Sequence, residues 1–191
     1  MVGLQEILRK LDSDKRDRII NASLEEFSKH GYRKASTNKI VEKAGISKGL
    51  LYHYFGKKEN LYEVLCAFVV NRIMEEITHS VDWEEPDVFE RLVQIMLVKI
   101  SLTRYYPKLY DFAAVMYAET GVEGIEKASE EVAPDLMQRV FRENIDFSRF
   151  RDDIDTNIAM EIIQWTLEKY GDRFWSQRKS DQTLDLEVVK A

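Results

Sequence analysis

Lys48, Gly49, Tyr52 and His53 lie within six residues and carry groups suited to a nucleic-acid groove. The ammonium, phenol and imidazole can donate to phosphate or base edges, and the glycine lets a backbone approach closely. The residues before them have the chemistry to position such a set. Ala44 is small where two helices cross, Gly45 supplies backbone freedom for a tight turn, and Ile46 packs inward between the helices. Ser47 can cap the next helix, whose first N–H groups remain open to a phosphate oxygen. Leu51 and Phe55, at i and i+4, anchor that helix to a core and leave the donors on the opposite side.

Other reactive residues form weaker patterns. Glu76 and His79 have the Glu-x-x-His spacing of helical di-iron sites, but such a site needs a second pair. Only His30 and His53 remain, and neither has a glutamate three residues before it, so a solvated helix face is the expectation. Glu84-Glu85 and Asp152-Asp153 are adjacent acids that point apart and make no acid/base pair. Cys66 is the only cysteine, which excludes an internal disulfide framework and a Cys-based zinc site and reads as a small buried apolar residue. No Gly-rich phosphate loop, nucleophile elbow or metal spacing is present. Neither an enzyme, a metal nor a cofactor is expected.

The elements that must hold the donor set are helices. With 45% hydrophobic residues, eight Gly and three Pro in 191, the chain reads as all-α. Ile20, Leu24 and Phe27 repeat at helical spacing from Asp14 to His30, and Gly31 is a stop signal. Ser36 can cap a short second helix with Ile40, Val41 and Ala44 on its buried side, and Ser47 a third that Gly56 ends. A long helix then starts near Lys58 to Asn60, with Leu61, Leu65, Phe68 and Ile73 among its apolar positions. After an acidic connection at 82–87, a helix opened by Pro86 or Asp87 holds Phe89, Leu92, Val93, Met96 and Ile100. Pro107 starts another helix, interrupted by Gly121 and Gly124. A segment from Glu126 to Asn144 is broken near Pro134, and the helix after Asp155 carries Ile158, Ile162, Trp165 and Leu167. The last stretch, Asp181 to Ala191, can form a short helix.

Charge is unevenly divided. The formal net charge is −6, yet residues 1–62 hold 13 Lys and Arg against 8 Asp and Glu, and the remainder 15 against 26. A basic head on an acidic body is the asymmetry expected when one end meets phosphate. The apolar run from Val64 to Val70 is too short to span a bilayer, so a soluble cytoplasmic protein without a membrane partner is expected.

From Lys15 to about Leu65 the sequence resembles the tetracycline-repressor (TetR) family. The string Gly-Ile-Ser-Lys-Gly-Leu-Leu-Tyr-His-Tyr-Phe, residues 45–55, is the most specific part. Gly31-Tyr32, Ser36-Thr37, Ala44-Gly45 and Lys58-Glu59-Asn60-Leu61 stand at the family's spacing. The resemblance implies a helix-turn-helix DNA-binding domain over residues 1–57 and a helical ligand-sensing and dimerisation domain over 58–191. It implies phosphate contacts from Thr37, Ser47, Tyr52, Tyr54 and Lys58, and base-edge contacts from Asn38, Lys48 and Gly49. His53 could do either, Tyr54 could be core, and Leu50 could pack inward or meet a thymine methyl. Lys48 and Lys58 stand at helix starts, where an anion would relieve the clash of their charge with the helix dipole. The arm from Val2 to Leu11 puts Leu4, Ile7, Leu8 and Leu11 on one face and favours docking on the head, with minor-groove contact by Arg9 and Lys10 as the alternative.

The implied partners are a double-stranded, pseudo-palindromic operator, a second copy of the chain and a small-molecule effector. Met96, Lys99, Tyr110, Met116, Tyr117 and Gln164 could line a pocket for an apolar or amphipathic ligand, and such residues could equally be plain core in a ligand-free adaptor. The family dimerises through its last two long helices, and the final stretch here is short. Either the helix with Ile158, Ile162, Trp165 and Gly171 carries the dimer, or the natural C-terminus extends beyond Ala191. Gly171 could allow close helix contact or end its helix.

Overall fold

The structure, a computed structural model, describes residues 6–8 and 10–177. The stretch expected at 181–191 and, of the arm expected at 2–11, residues 2–5 and 9 lie outside it. Among the described residues all regular structure is helical. The expected all-α class is what the chain adopts.

The first long helix, α1 (Ser13–Lys34), starts where the Asp12 carboxylate accepts the N–H groups of Asp14 and Lys15. Its inner face is Ile19, Ile20, Leu24 and Phe27, each at most 2% exposed. Gly31 breaks its regular path with φ 63°, as the glycine signal indicates. Two short helices follow, α2 (Thr37–Ala44) and α3 (Lys48–Phe55), and then the long α4 (Lys58–Ser80).

Asp87 caps α5 (Val88–Leu102) by accepting the N–H groups of Phe89 and Glu90. The next helix, α6 (Leu109–Val132), is broken at Gly121 (φ 70°). A gap holding Pro134 separates it from α7 (Leu136–Phe141), and a 3-10 turn (Phe147–Arg149) leads to α8 (Thr156–Gln177), which runs on through Gly171.

Two apolar cores result. The first joins α1, α2 and α3 to Leu61, Val64, Leu65, Val69 and Val70 of α4 and to Leu109, Tyr110, Phe112 and Met116 of α6. Leu8 and Leu11 of the arm are buried in it, and Ile7 packs against it, which is the docking expected of that arm. The second core gathers Ile77, Val81, Val88, Ile95, Val140, Phe141, Ile145 and Met160. Ile73 and Met74 border both. Packing therefore changes along α4 near residues 73–77, and the head shares its core with the front of the body.

One helix face differs from its apolar pattern. Phe89 and Val93 of α5 are 56% and 41% exposed, while Val88, Arg91, Ile95 and Leu102 are buried. A charged residue on the inward face disguised the helix's orientation. Arg91 is fully buried, and its guanidinium donates to the carbonyls of Arg139, Glu143, Trp83 and Glu85.

Candidate nucleic-acid interface

The turn between α2 and α3 is three residues, Gly45, Ile46 and Ser47. Gly45 takes φ 65°, its N–H reaching the Glu42 carbonyl, while the Ile46 N–H reaches the Val41 carbonyl at 3.1 Å. That pair of bonds is a Schellman closure, and it needs a residue that tolerates the left-handed region. Arg18 donates to the Ala44 carbonyl at 2.8 Å, binding the end of α2 to α1, and Ile46 packs against the first core. Ser36 stands at the start of α2 without a side-chain cap bond. Its own N–H is held instead by Glu26 of α1.

The start of α3 is capped as expected, with the Ser47 hydroxyl accepting the Leu50 N–H at 3.1 Å. Leu51 and Phe55 are 2% and 3% exposed, and Lys48, Gly49, Tyr52 and His53 lie on the exposed side. Thr37 at the start of α2 meets Tyr52 of α3, oxygen to oxygen, at 3.3 Å, and the Lys48 ammonium stands 5.9 Å from the Tyr52 ring centre. Asn38 is exposed beside Thr37. Two helix starts and one helix face thus form a single donor surface.

Gly49 has no internal reason to be glycine. It is helical, and a Cβ there would meet only the Ser47 hydroxyl, at 4.0 Å. Glycine in an exposed helix costs roughly 0.5–1 kcal/mol relative to alanine, so the bare backbone points to a close external approach.

The open alternatives divide. Tyr54 is half-buried and packs against the first core, with its ring 5.3 Å from that of His53. Leu50 is half-buried. Lys58 departs from the expected arrangement, because its ammonium donates to the carbonyls of Tyr32, Arg33 and Ala35 at 2.9 to 3.3 Å and lies 4.8 Å from the Tyr32 ring centre. It closes the end of α1 instead of projecting toward a ligand.

Beside it, Asn60 donates to the Phe55 carbonyl at 2.9 Å and caps α3 from the first turn of α4. Sequence reasoning missed Asn60 and Arg18. The Gly56 break, followed four residues later by an amide side chain, was the available signal for Asn60. Burial pulled one way and two cations the other at Glu25 on the back of the head, where hydrogen bonds from Lys29 and Lys43 hold its carboxyl below the usual range.

The six residues proposed for an effector do not share one depth. Tyr110 and Met116 belong to the first core, Met96, Tyr117 and Gln164 are half-buried, and Lys99 is exposed. The Tyr110 hydroxyl donates to the Lys99 carbonyl at 2.9 Å, and Gln164 donates to Glu168 at 3.0 Å. Glu76 is paired with Arg72 at 2.7 Å, and a ring nitrogen of His79 lies 2.7 Å from the Glu75 carbonyl, so this pair does not converge. Among the described residues no helix is long and apolar enough to cross a membrane.

Residues 19–65 match the model of the family described as bacterial regulatory proteins, tetR family. The HTH-type transcriptional repressor AcnR of Corynebacterium diphtheriae is 23% identical over 184 residues, covering 91% of this chain and 90% of the relative. The fatty acid degradation regulator FadR from Bacillus halodurans superposes with a TM-score of 0.57 at 23% identity, over 91% of this chain and 93% of that one. FadR from Bacillus subtilis, solved in complex with stearoyl-CoA, gives a TM-score of 0.51 at 20% identity, over 82% and 85%. At these identities the two structural likenesses speak for the fold.

Proposed function

The chain belongs, by its N-terminal unit, to the tetR family of bacterial regulatory proteins, and on that premise we propose that this DNA-binding regulator reads a pseudo-palindromic operator as a homodimer and releases it on binding a small effector. The observation that carries the reading is the donor surface of α2 and α3, with its bare glycine and its Ser47-capped helix start. Thr37, Ser47 and Tyr52 hold phosphates, Asn38, Lys48 and Gly49 face base edges, and His53 stands where it can reach either. Tyr54 belongs chiefly to the core.

Selection of duplexes from a random library tests the assignment. Lys48→Ala or Asn38→Ala should relax preference at one or two base pairs per half-site, at about 1–3 kcal/mol each. Selectivity unchanged in both variants would remove the base-reading role.

Lys58 separates this reading from a generic basic surface. With its ammonium held by three carbonyls, Lys58→Met should lower stability by about 1–2 kcal/mol and leave the salt dependence of operator binding unchanged. A salt slope reduced by roughly one unit would instead make Lys58 a phosphate ligand.

The effector is proposed to be apolar or amphipathic, supported by the FadR likeness and by the aromatic and methionine content of the body. α4 crosses both cores, so a ligand that favours another packing of the second core tilts α4 and takes the recognition helices off the roughly 34–36 Å spacing of successive grooves. Mass spectrometry of the denatured purified protein would reveal a retained ligand. Equal affinity of every pocket-binding compound with and without operator would favour a ligand-free adaptor.

A further inference from the structure

Two side chains of α1 hold α2 at its opposite ends. At the start the Glu26 carboxylate accepts the Ser36 N–H at 2.8 Å, and at the end the Arg18 guanidinium donates to the Ala44 carbonyl at 2.8 Å. Arg18 and Glu26 stand eight residues apart, as do Ser36 and Ala44, so each pair spans about 12 Å of helix axis. The holders thus match the held element in length. They also match it in sign, since a carboxylate meets the positive end of the α2 dipole and a guanidinium the negative end.

Glu26 is not an ordinary surface charge. Its side chain is 13% exposed, and its ion-pair partner among the described residues is the exposed His30, at 3.9 Å. Lys29 and Lys43 go to Glu25 instead. A carboxylate so placed gives up hydration without a close ammonium or guanidinium in return, and an apolar side chain would sit there at less cost. The N–H that it holds accounts for it. The Ser36 hydroxyl makes no cap bond, and the N–H groups of Lys39 and Ile40 both reach the Ser36 carbonyl, so the first turn of α2 is built on the residue that Glu26 grips. At the other end Asp14 steadies Arg18 at 3.2 Å, and a Cβ on Gly45 would stand 3.0 Å from the Arg18 Nη1, so the glycine of the turn also makes room for this grip. Between the grips the fully buried Ile40 and Ala44 set how α2 is rotated. Apolar contact is non-directional and leaves its position along its own axis to the polar ends.

We propose that Glu26, opposed by Arg18, fixes the axial position of α2 and is thereby a positioning residue for base reading by Asn38. Asn38 lies two residues from Ser36, so a slip of the first turn moves it relative to Lys48 on α3 and spoils the narrow geometry that a base-edge hydrogen bond needs. This rests on the regulator reading above for what Asn38 touches, whereas the grip itself can be measured without DNA. A backbone N–H bonded to a carboxylate is among the stronger hydrogen bonds, and losing it should raise opening of the first turn about ten-fold.

The test compares the full chain with Glu26→Leu and Glu26→Gln. Leucine fills the space without an acceptor; glutamine keeps an acceptor oxygen and drops the charge. In residue-resolved hydrogen exchange, the amides of Ser36, Lys39 and Ile40 should exchange about ten-fold faster in Glu26→Leu, with those of 48–55 in α3 unchanged. Glu26→Gln should give a smaller rise at the same amides. Exchange unchanged at Ser36, Lys39 and Ile40, or an equal rise through α3, would overturn the grip. In selection from a random duplex library, Glu26→Leu should relax the base pair that Asn38→Ala relaxes and keep the one that Lys48→Ala relaxes, and Glu26→Gln should restore most of the lost preference. Relaxation at both base pairs, which any loosening of the head would give, or at neither, would overturn the positioning role. If wild type selects no duplex, the regulator reading fails while the exchange comparison still decides the grip.

Discussion

A chain carrying Ile158→Glu and Ile162→Glu should sediment as a monomer at micromolar concentration and bind a full operator about 10²- to 10⁴-fold more weakly than the parent. The expectation starts from the two faces of α8. Met160 is 1% exposed and Ile163 packs with it against the second core. On the other side Ile158, Ile162 and Trp165, at i, i+4 and i+7, are 54%, 53% and 59% exposed. Ile154, also exposed, extends this apolar strip toward the preceding loop. A strip of that kind on a helix packed elsewhere would suit a like helix across a two-fold axis, as the proposed dimer requires. Because the substituted side chains touch little within one chain, monomer stability should move by no more than about 0.5 kcal/mol. The operator loss follows from linkage of two heads, each with a recognition helix of eight residues, Lys48–Phe55. One head alone reads too few base pairs for a tight specific complex. A variant that remained dimeric would move the interface to another part of the body.

The donor surface was legible in the sequence because its signals are local. A glycine at a left-handed turn, a serine before a helix and two apolar anchors four residues apart depend only on near neighbours, and Gly45, Ser47, Leu51 and Phe55 stand as their types require. Helix punctuation was readable for the same reason at Gly31, Asp87 and Gly121. The internal bonds of Lys58 were not legible because its acceptors lie 23 to 26 residues back, at the end of α1. A lysine at a helix start looks the same in sequence whether an outside phosphate or an inside carbonyl receives it. The body was harder still. Its pocket residues were chosen by type, yet depth is set by how helices rotate against each other, and α5 turns Val88, Arg91 and Ile95 inward in place of Phe89 and Val93.

Arg91→Met should lower the stability of the protein by about 3–5 kcal/mol, the range for breaking a buried charged network, and the melting temperature by roughly 10 °C. Methionine has a similar reach and leaves little cavity, so the loss isolates the polar contacts. The guanidinium joins two stretches to α5, the connection at Trp83 and Glu85, which the Asp82 N–H also ties to Gln94, and the end of α7 at Arg139 and Glu143. Without it these carbonyls face an apolar side chain, and each unsatisfied buried acceptor costs about 1–3 kcal/mol before relaxation. Burial pulls the pKa of Arg91 down, and Glu143, Glu85 and Asp82 pull it back, so the charge is held mainly by dipoles with carboxylates at longer range. Its Nε has no acceptor among the described residues, which makes the site a compromise that an entirely apolar redesign of all its partners could match. The damage should be confined at first to the second core, because the clasped residues lie beside Val140, Phe141 and Ile145 and the head's core has none of them. Limited proteolysis of Arg91→Met should therefore cut first at 82–87 or 142–155, with the head and the part of α6 packed on it, including Phe112 and Met116, held together as the resistant part. Dimerisation should weaken with it, since Met160 and Ile163 seat α8 on that same core. First cleavage within the head, or a loss of stability under 1 kcal/mol, would mean that the clasp adds little to what apolar packing already holds.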